Sequence, residues 1–167
     1  MEEPILNAHN KSEYPPAHTA EHILNGTMVK LYGCPRSRNS HVEKKKSKLN
    51  YELSACPSAE EVQKIEALVN EQIERHLPVT TEYVTRDKVP PEVSLEKLPE
   101  DASATLRLVR VGDYDVCACI GTHVENTAEI GHFRISSTSW TPAEDGDKGS
   151  FRIVFRLNGA DPKYDLF

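Results

Sequence analysis

Two pairs of residues with matched spacing carry the chemistry in this chain. His18 and His22 stand four positions apart in HTAEH, and Cys119 and His123 stand four apart in CIGTH. On an α-helix, positions i and i+4 share a face, so two imidazoles there can converge on one ion. Exposed helices also carry such pairs for no chemical reason. A cysteine thiolate is a soft anionic ligand and histidine a neutral one, and both suit zinc. Gly121 lets the chain turn, which an extended strand would not, so Cys119 and His123 could come together. Pairs this far apart in sequence suit a site assembled by folding; a zinc finger keeps its ligands close together. The plainer readings stay open at this point: Cys119 as core packing and His123 as a loop hydrogen-bonding group.

The elements that must position these pairs can be read from pattern. Pro15 and Pro16 precede a helical stretch from Ala17 to Tyr32, whose apolar side (Ile23, Leu24, Thr27, Val29, Leu31) is untidy. Gly33 and Pro35 stop it. Residues 34–47 read as a turn and a strand pairing through a lysine-rich tip, followed by the alternating strand KLNYELS. Ser58 and Glu61 form an S-x-x-E capping box. The helix they open runs through Val62, Ile65, Val69 and Ile73 and is expected to continue to Leu77, before Pro78.

VTTEYV reads as a strand and VSLEKLP as a short helix. ATLRLVRVG and DYDVCACIG read as two strands joined at Gly112-Asp113. IGHFRISSTSW and GSFRIVFRL follow as two more, linked by TPAEDGDKG. Helices come early and strands late, which predicts an α+β fold with a mainly antiparallel sheet packed with two main helices.

The 167 residues are enough for one domain with a true core. The expected division is a flexible lead-in over 1–16, a folded domain over 17–157 and a tail over 158–167. No apolar run is long enough to cross a bilayer, and the acidic, polar start is no secretory signal. Four unevenly spaced cysteines do not make a disulfide scaffold, so a cytoplasmic setting is expected. Cys34 and Cys56 are read as incidental. A net charge of −6 argues against general nucleic-acid binding, though Lys44, Lys45, Lys46 and Lys48 form a local basic cluster. That cluster could be a solvated hairpin tip or a contact for RNA phosphates.

HTAEHIL followed far downstream by CIGTHVENTAEIGHFRI resembles the editing domain shared by alanyl- and threonyl-tRNA synthetases. Its signature is H-x-x-x-H and then C-x-x-x-H. The alanyl branch is closer, and the likeness runs through NSHVEKKKSKLNYEL, EEVQKIEALVNEQIERHLPV and LRLVRVGDYDV, about residues 17 to 157. With no aminoacylation or ATP-binding domain expected in so short a chain, it resembles the short, free-standing alanyl-tRNA editing proteins (AlaX type).

The resemblance implies zinc held by His18, His22, Cys119 and His123. It also implies trans-acting hydrolysis of a wrong amino acid, serine or sometimes glycine, from tRNA(Ala). It places the pocket residue that selects serine at Ser37, with Asn39 and Ser40 beside it. Glu21 lies within the first motif, as a general base, an amine-placing group or a solvent-facing carboxylate at the helix start. Ile120 stands where the family has a glycine, beside the expected ion. With Thr122 and Cys117, which alternates with Cys119 along its strand, Ile120 is expected to line the pocket.

The bond to be cut would be an activated ester, needing a placed water and a stabilised oxyanion, both of which zinc can serve. Three histidines and a cysteine already complete a tetrahedron, whereas a catalytic zinc usually keeps one position open. The sequence leaves three answers standing: an expanded shell, a departing ligand, or an ion that orients the substrate amine while another residue handles water. Two rival readings remain, a related metal hydrolase of another acyl ester or mischarged tRNA, and a non-catalytic zinc-stabilised RNA-binding module.

Overall fold

The computed structural model describes residues 14–37, 40–85, 88, 105–143 and 148–165. The expected lead-in up to Glu13, the short helix over 93–99 and the pocket residue Asn39 lie outside them.

Helix α1 spans Pro15–Tyr32. It therefore takes in Pro15 and Pro16, which the sequence assigned to the lead-in. Proline suits a first helical turn, where its missing N–H would have had no partner. The helix ends at Gly33, whose φ of 63° closes a left-handed cap with its N–H on the Val29 carbonyl. Every residue from Pro15 to Met28 is buried. The apolar pattern is untidy because α1 is enclosed on all sides as far as Met28, so no solvent face imposes a helical period there. His18, Thr19, Glu21, His22, Asn25 and Thr27 are polar yet buried, and such groups must find partners inside the protein.

Helix α2 (Ala59–Glu74) is the amphipathic opposite, burying Ile65, Val69, Gln72 and Ile73. Both halves of its Ser58/Glu61 capping box are made. It stops at Glu74, short of the expected Leu77, because Arg75 caps it and His76 turns to a φ of 51°. Leu77 then hydrogen-bonds Thr127 through backbone N–H to Oγ1 (2.8 Å), with a return bond from the Thr127 N–H to the Leu77 carbonyl (2.9 Å). The Thr127 hydroxyl also reaches the Gln72 and Ile73 carbonyls, satisfying the end of α2.

The strands are β1 (Ser40–His41), β2 (Ser47–Leu53), β3 (Val79–Thr85), β4 (Thr105–Val111), β5 (Asp115–Ala118), β6 (His132–Thr141) and β7 (Gly149–Asn158). All pairings are antiparallel, as expected, but the strands divide between two sheets instead of forming one. One sheet has the order β1-β2-β7-β6, and the other β3-β4-β5. Leu49, Tyr51, Phe133, Phe151, Ile153 and Phe155 on the first sheet join Ile23, Leu24 and Met28 of α1 in the main core. The edge of β6 is covered by α2: Asn70 bonds the Phe133 N–H and carbonyl, and Glu66 accepts from the Ile135 N–H.

After β5 the chain crosses back toward α1 and makes a 3₁₀ turn at Thr127–Ile130, capped by Asn126 and Glu129. The segment after β7, as far as Asp165, docks on that turn, where the Asp161 N–H reaches the Glu129 carbonyl at 2.9 Å. β7 runs to Asn158, and the buried Tyr164 donates its hydroxyl to Glu129 Oε1 at 2.6 Å. No helix among the described residues is long and apolar enough to cross a membrane.

Candidate metal centre

His18 and His22 project from the N-terminal half of α1, and Cys119 and His123 lie on the segment just past β5. Their ligand atoms all fall within 4.8 Å of one another. His18 Nε2 is 3.3 Å from Cys119 Sγ. The three imidazoles crowd together, with centroids 4.0 Å apart for His18 and His123, 4.4 Å for His22 and His123, and 4.9 Å for His18 and His22. A zinc ion bound at roughly 2.0–2.3 Å holds its ligand atoms about 3.3–3.8 Å apart. The cluster is near that size, and its N₃S donor set is one zinc accepts.

The outer nitrogens of His18 and His123 are held as a metal site requires. The Thr122 carbonyl lies 3.1 Å from His18 Nδ1. A carbonyl only accepts, so Nδ1 carries the proton and the Nε2 lone pair faces the cluster. His123 Nδ1 lies 2.9 Å from Thr19 Oγ1, and that oxygen also accepts the Val124 N–H at 3.2 Å. Thr19 thus ties α1 to the segment that brings the second pair. Cys119 Sγ accepts the Gly121 N–H at 3.5 Å. Arg107 on β4 braces the same turn, donating through Nε to the Cys119 carbonyl (2.9 Å) and through Nη2 to the Gly121 carbonyl.

Beside His22 sits a pair that the sequence reading missed. Asp115 at the start of β5 has Oδ2 3.9 Å from His22 Nδ1. Its carboxylate is gripped in bidentate fashion by Arg36, at 2.7 and 3.1 Å. Burial by itself pushes the Arg36 pKa down, and Asp115 and Cys117 more than offset this, so the guanidinium stays above its usual value. Gly26 of α1 makes room, since a Cβ there would come 3.0 Å from Asp115 Oδ1. The available signal was the alternation of Asp115 with Cys117 and Cys119 along one strand.

The other expected site residues divide. Glu21 is buried, with 5% of its surface exposed, and its Oε1 is 3.6 Å from His18 Nε2. This overturns the solvent-facing reading, because α1 has no solvent-facing side from Pro15 to Met28. Ser37 is fully buried ahead of β1. Its N–H reaches Asn25 Oδ1 at 3.3 Å and its Oγ accepts the Asn50 N–H at 3.2 Å. Asn25, one helical turn beyond His22, also takes the Tyr51 hydroxyl at 2.7 Å. Thr122 contributes through its backbone, with its side chain outside, and Ile120 is half-buried on the same turn.

Cys117 is buried but is not one of the four clustered ligands, and its neighbour is Arg36. Ser40 is exposed on β1. Lys44, Lys45 and Lys46 are exposed between β1 and β2, with Lys44 paired to Asp165 at 3.2 Å, while Lys48 lies half-buried on β2.

With this geometry in view, comparison with known proteins gives the class. Residues 106–154 match the family described as the threonyl and alanyl tRNA synthetase second additional domain. The chain is related to that domain, and its α+β architecture is that domain's fold. Alanine–tRNA ligases are among its curated relatives. That of Fervidobacterium nodosum is 37% identical over 123 residues, which is 73% of this chain and 14% of the ligase. That of Methylacidiphilum infernorum is 39% identical over 122 residues, 71% of this chain and 13% of the ligase. That of Pseudoalteromonas translucida is 30% identical over 145 residues, 86% of this chain and 16% of the ligase. The chain therefore spans about one-seventh of the length of the first of these relatives.

Proposed function

We propose that the protein is a trans-acting, zinc-dependent deacylase that frees serine from mischarged tRNA(Ala), with glycine as a second substrate. The observation that carries this reading is the convergence of His18, His22, Cys119 and His123 within 4.8 Å, on a chain related to a synthetase editing domain. Bound there, zinc supplies Lewis acidity, which polarises an ester carbonyl and lowers the pKa of water.

The chain's own residues do the rest. Thr122 and Thr19 hold the His18 and His123 rings with one nitrogen directed inward. Glu21 Oε1, next to His18, is placed to take a proton from the attacking water or to hold the substrate's α-ammonium group. Burial of α1 keeps this work away from bulk solvent, which strengthens each electrostatic contact.

Selectivity against alanine rests on one hydroxyl. A pocket that hydrogen-bonds the serine hydroxyl leaves its own polar atom unpaired when alanine enters, and so discriminates strongly. We assign that contact to Ser37, which Asn25 ties to α1 one turn from His22. The half-buried Ile120 and the buried Cys117 line the rest of the proposed pocket.

A second reading is favoured by the donor count. Four protein ligands close a tetrahedron, as structural zinc sites do, and would suit an RNA-binding module without turnover. Purified protein loaded with zinc, incubated with Ser-, Gly- and Ala-charged tRNA(Ala), separates the two. The deacylase is expected to release serine while alanine stays attached. Stable zinc with no release from any charged tRNA would overturn the deacylase in favour of the module.

A further inference from the structure

The solvent face of the β1-β2-β7-β6 sheet has a charge that runs against that of the whole chain. The protein carries a net −6, yet the strands of this sheet include Lys48, Arg134, Arg152 and Arg156 and one carboxylate, Glu52. The alternation that buries Leu49, Tyr51, Phe151, Ile153 and Phe155 turns the cations outward. None of the four makes an ion pair among the described residues, and the Arg152 Nε–H bonds the neutral Asn50 Oδ1 at 3.1 Å.

The register makes this costly. Arg134 and Arg156 stand directly opposite each other across β6 and β7, and like charges in that position destabilise a sheet. Ser47 pairs with Phe155, so the ladder, extended by one step, puts Lys46 at the register position beside Arg156. The exposed Lys45 and Lys46 therefore continue the cationic band past the end of the sheet. Glu52 stands at the other end of β2, opposite Ser150.

We propose that this face docks the phosphate backbone of duplex RNA. The partner follows from complementarity: a cationic band without ion pairs among the described residues, interleaved with the hydroxyls of Ser137 and Ser139, meets phosphate oxygens and 2′-hydroxyls. Single-stranded RNA is a poorer fit, because base stacking needs exposed aromatic rings. Tyr51, Phe133, Phe151 and Phe155 are all buried in the core, and Trp140 packs against it. Recognition is thus by charge and shape, blind to base sequence. The face looks away from α1, so the RNA body is gripped on the side of the sheet opposite the metal centre. If the deacylase reading holds, that body is the acceptor arm of the tRNA, and to that extent the assignment rests on that reading.

The test uses the full chain and an uncharged RNA hairpin with a duplex stem, followed by fluorescence anisotropy over a series of salt concentrations. The triple variant Arg134→Ser, Arg152→Ser, Arg156→Ser is expected to bind at least about tenfold more weakly. The slope of log affinity against log salt should shrink by about 1 per lost contact. Relief of the Arg134–Arg156 repulsion should leave the variant's melting temperature equal to or above that of the parent, which separates lost docking from lost folding. Equal binding by parent and variant, stronger binding to single strands than to duplex, or binding to anionic vesicles in place of RNA would each overturn the proposal. No acylated RNA enters this assay, so its outcome is distinguishable from that of the deacylation experiment.

Discussion

His22→Ala is expected to abolish tight zinc retention and to lower serine release by at least about 100-fold. Losing a group that merely orients a ligand typically costs 10–100-fold in metal affinity or activity, and losing the ligand costs more. The three remaining donors are fixed by separate devices: Thr122 on His18, Thr19 on His123, and Gly121 N–H with the Arg107 brace on Cys119. The truncated site should keep its shape while losing its grip. Far-ultraviolet circular dichroism should match the parent, and metal content after dialysis against a chelator should fall. A variant that held zinc as tightly as the parent would remove His22 from the ligand set.

Asp115→Ala carries the largest expected stability loss, about 3–5 kcal/mol, because it leaves a buried guanidinium without its counter-ion. Arg36 and Asp115 side chains are only 11% and 6% exposed, so solvent can replace little of what is lost. The paired change Arg36→Met with Asp115→Leu should recover most of that stability, since apolar groups of similar volume remove both charges together. It should not recover metal affinity. Asp115 also faces His22 Nδ1, and without it the ring loses the carboxylate that helps orient it, so a 10–100-fold drop is expected. Urea melts and chelator competition on the single and double variants read the two effects separately. Full metal affinity in the stable double variant would limit Asp115 to a structural role.

What could be read from the residues alone depended on whether the signal was local. Helix α2 was legible in its start and apolar stripe because capping and period are short-range properties. Its end was not, because the left-handed turn at His76 and the clasp of Thr127 on α2 come from contacts distant in sequence. The strands were legible by alternation, while their division into two sheets is a matter of which edges meet. At the site, type and spacing singled out two pairs, and the resemblance to the editing domain was what implied that they share one ion. Thr19, Asp115 and Arg36 were not singled out, since a threonine, an aspartate and an arginine gain meaning only from what lies beside them. Glu21 kept a solvent-facing alternative for a related reason: a carboxylate early in a helix commonly faces water, and only the enclosure of α1 makes this one an interior group.

That enclosure shapes how the protein can vary. A surface helix offers evolution a free side, and tolerance to substitution rises and falls every three or four positions. From Pro15 to Met28 no such side exists, so a saturation mutagenesis profile should be uniformly intolerant there and rhythmic along α2. Substitutions are therefore expected to be tolerated best on the solvent side of the second helix and in the connecting segments, and least in the segment that presents His18 and His22.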